Sequence, residues 1–483
     1  MEWLPEAFDK VADANRNRVA LVEEDRQWTF GELAAEVDAI AATLREKVEG
    51  GTIGILLLNS RKYVTTLLAI WKAGKTAVPL NYLLPHQEMA FIIKDSGMSA
   101  LVSSQFFGQA VSAIQPVLGT GVVLMADSPD FSVSASGPST AYQDPALYLY
   151  TSGTTGRPKG VVLTHRNLTS NVESCAKAGQ FDHRDGFLCL LPFFHTYAIT
   201  GTMLLPLLNG CKMVLVDRFQ PLKVLKLIED HNISVFLAIP SMYRVLAGTD
   251  GGFNVKSVRF PISGGEPLPM AVAEAFEKRF GVPVFEGYGQ TEAAPVVTLN
   301  VPGRNKPGTV GPPLPGVDIA IWDDEKRVLD VEQVGEIMVR GNNVMAGYYH
   351  LPEETEKTIT NGWLHTGDLG KLDSEGFVTI TGRKKDLIIS AGENIYPREI
   401  EEVLALHPAV KEVAVIGIKD EVRGETPKAF LIAREGMTID DRELRAFCRG
   451  KLAGYKIPRH FEVLADFPRT PTGKVLKRML PSG

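Results

Sequence analysis

The sequence predicts an α/β protein: a large N-terminal domain of layered α/β sheets with a small β-rich lobe, followed by a small, separate α+β domain. Three observations predict it. Amphipathic segments such as residues 29–46 alternate with short apolar runs at 53–58 and 76–80, the pattern of helices layered on a sheet. The alternation resumes after a Ser-, Pro-, Gly- and Asp-rich connection at 127–145, with strand-like runs at 147–150, 212–216 and 235–239 and a helical one at 222–231. Around 301–350 the chain grows dense in Gly, Pro and Val, with short strands at 319–322 and 335–339.

The domain borders follow from composition. At 483 residues the chain exceeds one simple core, so several units are expected. Thr381-Gly382-Arg383-Lys384-Lys385-Asp386 sets polar and flexible residues ahead of an apolar run and reads as a linker. This gives a domain at 1–383, a hinge at 384–386 and a domain at 387–483. The last reads as helix 397–406, hairpin strands 413–418 and 428–433, helix 440–451 and a final strand 461–464. The uncharged stretch 196–211 carries Thr, Gly, Pro and Asn and falls short of the roughly 18 apolar residues of a spanning helix. It reads as a buried helix.

Bulk properties exclude some functions. A hydrophobic content of 45% with 22% charged residues permits a packed enzyme. The net charge of −6 argues against nucleic acid as a partner, which needs a basic face. Cys175, Cys189, Cys211 and Cys448 show neither metal-ligand spacing nor a disulfide framework and fit buried thiols in a reducing cytoplasm. The opening Met1-Glu2-Trp3-Leu4-Pro5 lacks a basic start and apolar core, so no secretion is expected. Monomer and homodimer both stay open.

The strongest chemical signal is Tyr150-Thr151-Ser152-Gly153-Thr154-Thr155-Gly156-Arg157-Pro158-Lys159-Gly160, between two strand-like runs. Its glycines let the backbone approach an anion, its hydroxyls donate to phosphate oxygens, and Lys159 adds charge. A Ser/Thr-rich surface hairpin is the plainer alternative. The P-loop pattern GxxxxGK[ST] is absent, since Arg157-Pro158 follows Gly156. Elsewhere, Tyr288 between two glycines offers a plane for a purine, and Thr291-Glu292 offer a phosphate donor and a hard oxygen ligand for magnesium. Asp368 can accept ribose hydroxyls, and Arg383 can pair with the same nucleotide.

With Leu191-Pro192-Phe193-Phe194-His195-Thr196-Tyr197, Ser263-Gly264-Gly265-Glu266-Pro267-Leu268, Gly287-Tyr288-Gly289-Gln290-Thr291-Glu292, Thr366-Gly367-Asp368, Gly382-Arg383-Lys384-Lys385-Asp386 and Pro471-Thr472-Gly473-Lys474 in that order, the chain resembles the adenylate-forming superfamily. That superfamily comprises acyl-CoA synthetases, nonribosomal-peptide adenylation domains and luciferases, and the likeness covers nearly the whole chain, closest to fatty acyl-CoA ligases. The resemblance implies an acid–thiol ligase. It would use ATP, Mg2+ and coenzyme A to convert a carboxylic acid to an acyl-adenylate and then a thioester.

The resemblance also assigns roles. ATP or AMP would meet Thr151, Ser152, Gly153, Thr154, Thr155, Gly156, Lys159, Gly264, Gly265, Glu266, Pro267, Gly287, Tyr288, Gly289, Gln290, Thr291, Asp368 and Arg383. Glu292 and Thr151 would serve the metal, and Lys474 would bridge carboxylate and α-phosphate as the catalytic cation. His195, also assigned to catalysis, would border the acyl pocket with Tyr197, Ile199, Gly264 and Gly289. Lys385 matches the hinge on which the small, mobile C-terminal domain of the family turns between the two half-reactions, while Gly392, Glu393, Asn394 and Lys456 match the coenzyme A side. No charged residue stands among the presumed pocket residues, which favours a medium- or long-chain fatty acid. Ile199 replaces the tryptophan that gates the tunnel in some long-chain members, so chain length stays open. An aryl acid, a separate carrier protein as acceptor, or a non-catalytic nucleotide binder are the alternatives.

Overall fold

Local signals in the sequence start the main elements. Thr29 closes strand Arg26–Thr29 and caps helix Phe30–Lys47: its hydroxyl accepts from the Glu32 amide at 3.2 Å, while the Glu32 carboxylate accepts from the Thr29 amide at 2.7 Å. This reciprocal cap satisfies two otherwise orphaned donors. Thr164 and Asn167 make the same exchange before helix His165–Gly179, and Asp440 accepts from two amides ahead of Asp441–Cys448. The computed structural model describes residues 3–132, 144–152, 157–469 and 475–481.

Two α/β sheets build the larger part of the chain. The first runs Val296–Leu299, Phe285–Gly289, Phe260–Ser263, Val235–Ala238, Gly186–Cys189, Lys212–Leu215, Val19–Glu23 and Arg26–Thr29. All neighbours are parallel except the pair at each end. The second runs Gly347–Tyr348, Pro158–Leu163, Leu147–Ser152, Thr76–Pro79, Thr52–Leu56, Ala100–Ser103 and Val122–Met125. Its interior strands Thr76–Pro79 and Ala100–Ser103 are buried at every residue, as expected where helices cover both faces of a parallel sheet.

The chain divides into two compact units. Met1–Ile319, Val339–His365 and Gly376–Val378 form the first, and Ala320–Met338, Thr366–Glu375 and Thr379–Gly483 the second. The second therefore takes in parts of the β-rich region as well as the C-terminal residues. Its C-terminal sheet pairs Val410–Asp420 with Gly424–Ala433 as a long hairpin, flanked by Ile388–Ser390 and Glu393–Ile395 on one side and the parallel strand His460–Val463 on the other. Helices Pro397–Ala405 and Asp441–Cys448 bury Ile400, Leu404, Leu444 and Cys448 against Val415, Ala429 and Leu431.

Two expectations change in detail. The helix expected at 440–451 stops at Cys448, because Arg449 is extended and Gly450 takes a φ of 83°. The stretch 196–211 is a buried helix only in part: Thr196–Ala198, a π-helical turn over Ile199–Leu204, and Leu205–Leu208. Inside it the Leu205 amide donates to Thr200, five residues back, and the Thr200 hydroxyl bonds the Ala294 carbonyl at 3.0 Å. The four cysteines are free and buried. No helix among the described residues is long and apolar enough to cross a membrane.

Asp185 ties three segments together ahead of strand Gly186–Cys189. It is 7% exposed and accepts from the Ser234 hydroxyl at 2.7 Å and from Arg259 Nε and Nη2 at 2.9 and 2.7 Å. Burial pushes its carboxyl up, but the bonds from Arg259 and Ser234 outweigh that and hold it below its ordinary 3.8. Because Arg259 is partly exposed, Asp185→Asn should cost only about 1–2 kcal/mol at neutral pH. A depressed carboxyl stabilises the fold above its unfolded value and loses that contribution as pH falls through the folded one. Urea unfolding should therefore separate variant from wild type near pH 7 and draw them together progressively as pH falls below 3.8.

Candidate active site

The site of the first unit is built from strand ends. Leu147–Ser152 and Pro158–Leu163 form a hairpin in which Thr151 lies directly opposite Lys159; Gly153, Thr154, Thr155 and Gly156 lie outside the described residues. Gly160 is closely packed, since a Cβ there would stand 3.1 Å from the Tyr150 ring. Lys159 Nζ pairs with Glu354 at 2.7 Å and stands 5.3 Å from the centre of the Tyr348 ring. Neither partner was visible in the motif, because both lie almost two hundred residues downstream.

Strand Phe285–Gly289 delivers Tyr288, half-buried, and then a 3-10 turn, Thr291–Ala293. A side chain at Gly289 would stand 2.0 Å from the Pro295 carbonyl oxygen, so the crossing of the two segments demands glycine. The Gln290 amide donates to that same carbonyl at 3.0 Å. Gln290 Nε2 is buried and has no acceptor among the described residues. Glu292 Oε1 accepts from the Tyr348 hydroxyl at 3.0 Å, and Thr291 Oγ1 accepts from Thr196 at 3.2 Å.

The His195 segment meets the others through its neighbours. His195 is exposed, and its Nδ1 accepts from the Tyr197 amide at 3.3 Å. The Tyr197 ring lies against Gly264, where a Cβ would come within 3.0 Å of it. Burial pushes the Tyr197 phenol well up, so it stays protonated. Ile199 is fully buried, Gly264 is buried, and Gly265, Pro267 and Gly289 are exposed. Glu266 and Gly287 are half-buried. The structure thus gathers the segments of Thr196, Tyr197, Gly264, Thr291 and Glu292 at one rim.

Sequence reasoning missed Asn59 and Tyr63, which hold the chain just ahead of His195. Asn59 Nδ2 donates to the Leu191 carbonyl and its Oδ1 accepts from the Phe193 amide, both at 2.8 Å, while the Tyr63 hydroxyl donates to the Phe193 carbonyl at 2.6 Å. The only sequence signal was an uncharged polar residue, Asn59, directly after an apolar strand. Asn59 also lines a cavity of about 320 Å³ with Glu23, Trp28, Arg61 and Lys223, none of which belongs to the motifs.

The second unit holds the remaining residues. Asp368 is buried; its Oδ1 pairs with Arg383 Nε at 2.7 Å, and its amide donates to the Thr366 hydroxyl at 3.0 Å. Gly367 turns with φ 69° and donates to Glu336 at 3.1 Å. Lys384, Lys385 and Asp386 form one 3-10 turn in which Lys385 is exposed and Lys384 pairs with Asp324 at 2.8 Å. Gly392, Glu393 and Asn394 are exposed on a tight hairpin whose two turn residues, Ala391 and Gly392, both have positive φ. Lys456 is bound by both oxygens of Glu399, at 2.8 and 2.6 Å. Lys474 lies outside the described residues.

The donor set fits magnesium better than a protein-caged metal. Among the described residues no three His, Cys, Asp or Glu side chains converge, so a metal here would rest on the Glu292 carboxylate and on ligand oxygens. That is how Mg2+ is usually held, with one or two carboxylates, substrate phosphates and water.

Comparisons with known proteins agree with this geometry. Residues 8–349 match the family described as AMP-binding enzyme, and residues 399–474 match the AMP-binding enzyme C-terminal domain. A long-chain-fatty-acid–CoA ligase of Bacillus subtilis (strain 168) is 35% identical, the alignment covering 96% of this chain and 91% of the relative. A feruloyl-CoA synthase of an Amycolatopsis species is also 35% identical, covering 93% and 92%. The o-succinylbenzoate coenzyme A synthetase of Bacillus subtilis, solved with ATP and a magnesium ion, superposes with a TM-score of 0.88 at 34% identity over 98% of both chains. The chain belongs to the AMP-binding enzyme family. Within that class it is an acid–thiol ligase, an AMP-forming acyl-CoA synthetase that uses a carboxylic acid, ATP with Mg2+, and coenzyme A.

Asn59→Ala tests the clamp on the His195 segment. Losing two buried bonds to backbone groups should cost about 2 kcal/mol in urea unfolding and raise KM for the acid. An unchanged KM with the full loss of stability would confine Asn59 to a folding role.

Proposed function

We propose that the enzyme activates a medium- or long-chain fatty acid. The acid's carboxylate oxygen attacks the α-phosphorus of ATP, the bond to pyrophosphate breaks, and acyl-AMP forms. The coenzyme A sulfur then attacks the acyl carbon, the bond to AMP breaks, and the thiol proton leaves to solvent or to the departing phosphate. The observation that carries the fatty-acid reading is the apolar, uncharged character of the chain on either side of His195: Phe194, Ile199 and Met203 are buried, and Gly264 adds no charge. The Tyr197 ring against Gly264 favours a second reading, in which a planar aryl acid lies along that ring.

Residue roles follow the chemistry of the groups. Lys159 meets the outer phosphates, Tyr288 stacks on the purine, and Thr291 donates to the α-phosphate. Ser152, Gly153, Thr154, Thr155, Gly156, Gly264, Gly265, Glu266, Pro267, Gly287, Gly289 and Gln290 complete the nucleotide contacts. Magnesium, when bound at Glu292 with Thr151, neutralises phosphate charge that would repel the incoming carboxylate. Asp368 accepts from the ribose and Arg383 steadies the same nucleotide. Lys474 bridges the two anions of the first step, Lys385 serves as the hinge within 384–386, and Lys456 with Gly392, Glu393 and Asn394 receives coenzyme A. Four free, buried thiols support a reducing cytoplasmic compartment.

The acid is decided by a panel of straight-chain acids from acetate to stearate, with benzoate and cinnamate, assayed for pyrophosphate and thioester with and without coenzyme A. The highest kcat/KM is expected on a medium or long straight chain, and a preference for cinnamate would select the aryl reading. Pyrophosphate release without thioester for every acid would instead identify a different acceptor. Lys474→Ala should lower adenylation about a hundredfold or more while leaving thioester formation from supplied acyl-AMP nearly intact. Equal loss of both half-reactions would remove Lys474 from its assigned role.

A further inference from the structure

Tyr348 touches both halves of the expected phosphate and metal machinery. It lies on the two-residue strand Gly347–Tyr348, which pairs antiparallel with Pro158–Leu163 so that Tyr348 faces Val161, and the next amide, that of Tyr349, donates to Gly160 at 2.7 Å. Its own amide donates to the Thr355 hydroxyl at 2.8 Å. Gly347, with φ 146°, passes so near Thr355 that a Cβ would stand 2.7 Å from it. The backbone of Tyr348 is therefore fixed from two sides.

The side chain makes separate contacts through its ring and its hydroxyl, the latter also hydrogen-bonded with Thr358. Its ring faces the Lys159 ammonium at 5.3 Å, within cation–π range. Its hydroxyl lies 3.0 Å from Glu292 Oε1, and because an ionised carboxylate only accepts, the phenol must donate. The turn that carries Glu292 is pinned to the same segment by backbone: the Met345 amide donates to the Glu292 carbonyl, and Asn343 Nδ2 donates to Ala293, both at 2.9 Å. One oxygen of Glu292 is thus engaged by a neutral donor that cannot compete with a cation for its charge.

We propose that Tyr348 is a positioning residue for the nucleotide–metal complex: its hydroxyl orients the Glu292 carboxylate toward Mg2+, and its ring holds the Lys159 ammonium beside the phosphates. The proposal rests on the assignment of Glu292 to the metal. Burial and the neighbouring Glu292 both raise the Tyr348 phenol, which keeps its proton in place for the bond. Glu354, which pairs with Lys159 and Lys357, adds an ion pair to the same lysine.

The test is ATP affinity by calorimetry, without acid or coenzyme A, in excess Mg2+ and in excess EDTA. Wild type should bind ATP more tightly with Mg2+. Tyr348→Phe keeps the ring and loses the hydroxyl, so it should lose about tenfold from the Mg2+–ATP affinity, the scale of one bond to a charged group, and leave the EDTA value unchanged. Tyr348→Leu removes the ring as well and should also weaken binding in EDTA. In a Glu292→Gln background the Tyr348→Phe effect should vanish, which separates positioning from any general loosening of the fold. Full Mg2+–ATP affinity in Tyr348→Phe, or equal weakening in both media, would overturn the proposal. If wild type shows no Mg2+ response, or Glu292→Gln keeps it, the assignment of Glu292 to the metal fails, and the role given to Tyr348 fails with it.

Discussion

Parallel pairing of Gly186–Cys189, Val235–Ala238, Phe260–Ser263 and Phe285–Gly289 is the constraint on which the site depends. Parallel strands all end on the same edge of the sheet, so the segments that follow them emerge together. His195 and Tyr197 follow the first of these strands, Gly264 and Gly265 follow the third, and Tyr288 and Gly289 end the fourth. The contacts between Tyr197 and Gly264 and between Thr196 and Thr291 are the visible result. The side chains that meet there need not be near in sequence, because the register of the buried strands brings them into reach. A register slip of one residue would send each side chain to the opposite covered face and force both packing layers to rearrange.

Legibility in the sequence followed the range of the forces. Helices started by reciprocal caps and strands buried on every residue declare themselves within a few positions, and so did the loop around Thr151 and the turn around Glu292. The glycines were visible as a pattern, but the reason for Gly289 was not: the carbonyl of Pro295 that excludes a side chain belongs to another segment. The same holds for Asn59 against the Leu191–Phe193 backbone, for Glu354 against Lys159, and for Tyr348 against Glu292. Each of these pairs is formed by tertiary packing, and neither member carries a local mark of it. The π-helical turn at Ile199–Leu204 was equally hidden, since an apolar run has the same composition in any helix.

Three basic residues expected to meet the nucleotide or coenzyme A share a further feature. Lys159 pairs with Glu354, Lys456 with Glu399 and Arg383 with Asp368, at 2.7, 2.6 and 2.7 Å. In a chain with a net charge of −6, holding each cation against a carboxylate fixes its position and prevents unspecific capture of anions. Two of these pairs differ from the third in exposure: the Glu354 and Glu399 side chains are 35% and 40% exposed, whereas Asp368 is 5% exposed.

That difference decides which pairs a phosphate can displace. An ion pair with a half-exposed carboxylate is worth about 1 kcal/mol or less, because water screens it and the released carboxylate is readily hydrated. A phosphate group carries more charge and more acceptor oxygens than a carboxylate, so it gains more from the same lysine than the exchange costs. Lys159 and Lys456 can therefore pass from glutamate to ligand at little expense. Asp368 is different: its carboxylate is only 5% exposed, so water can do little to replace the Arg383 guanidinium and the pair is the hardest of the three to exchange. The Asp368–Arg383 pair therefore stays together as one unit while the two lysines can exchange partners. In the proposed assignment the two exchangeable lysines are the ones that face phosphate groups, and the Asp368–Arg383 pair is the one that faces the ribose.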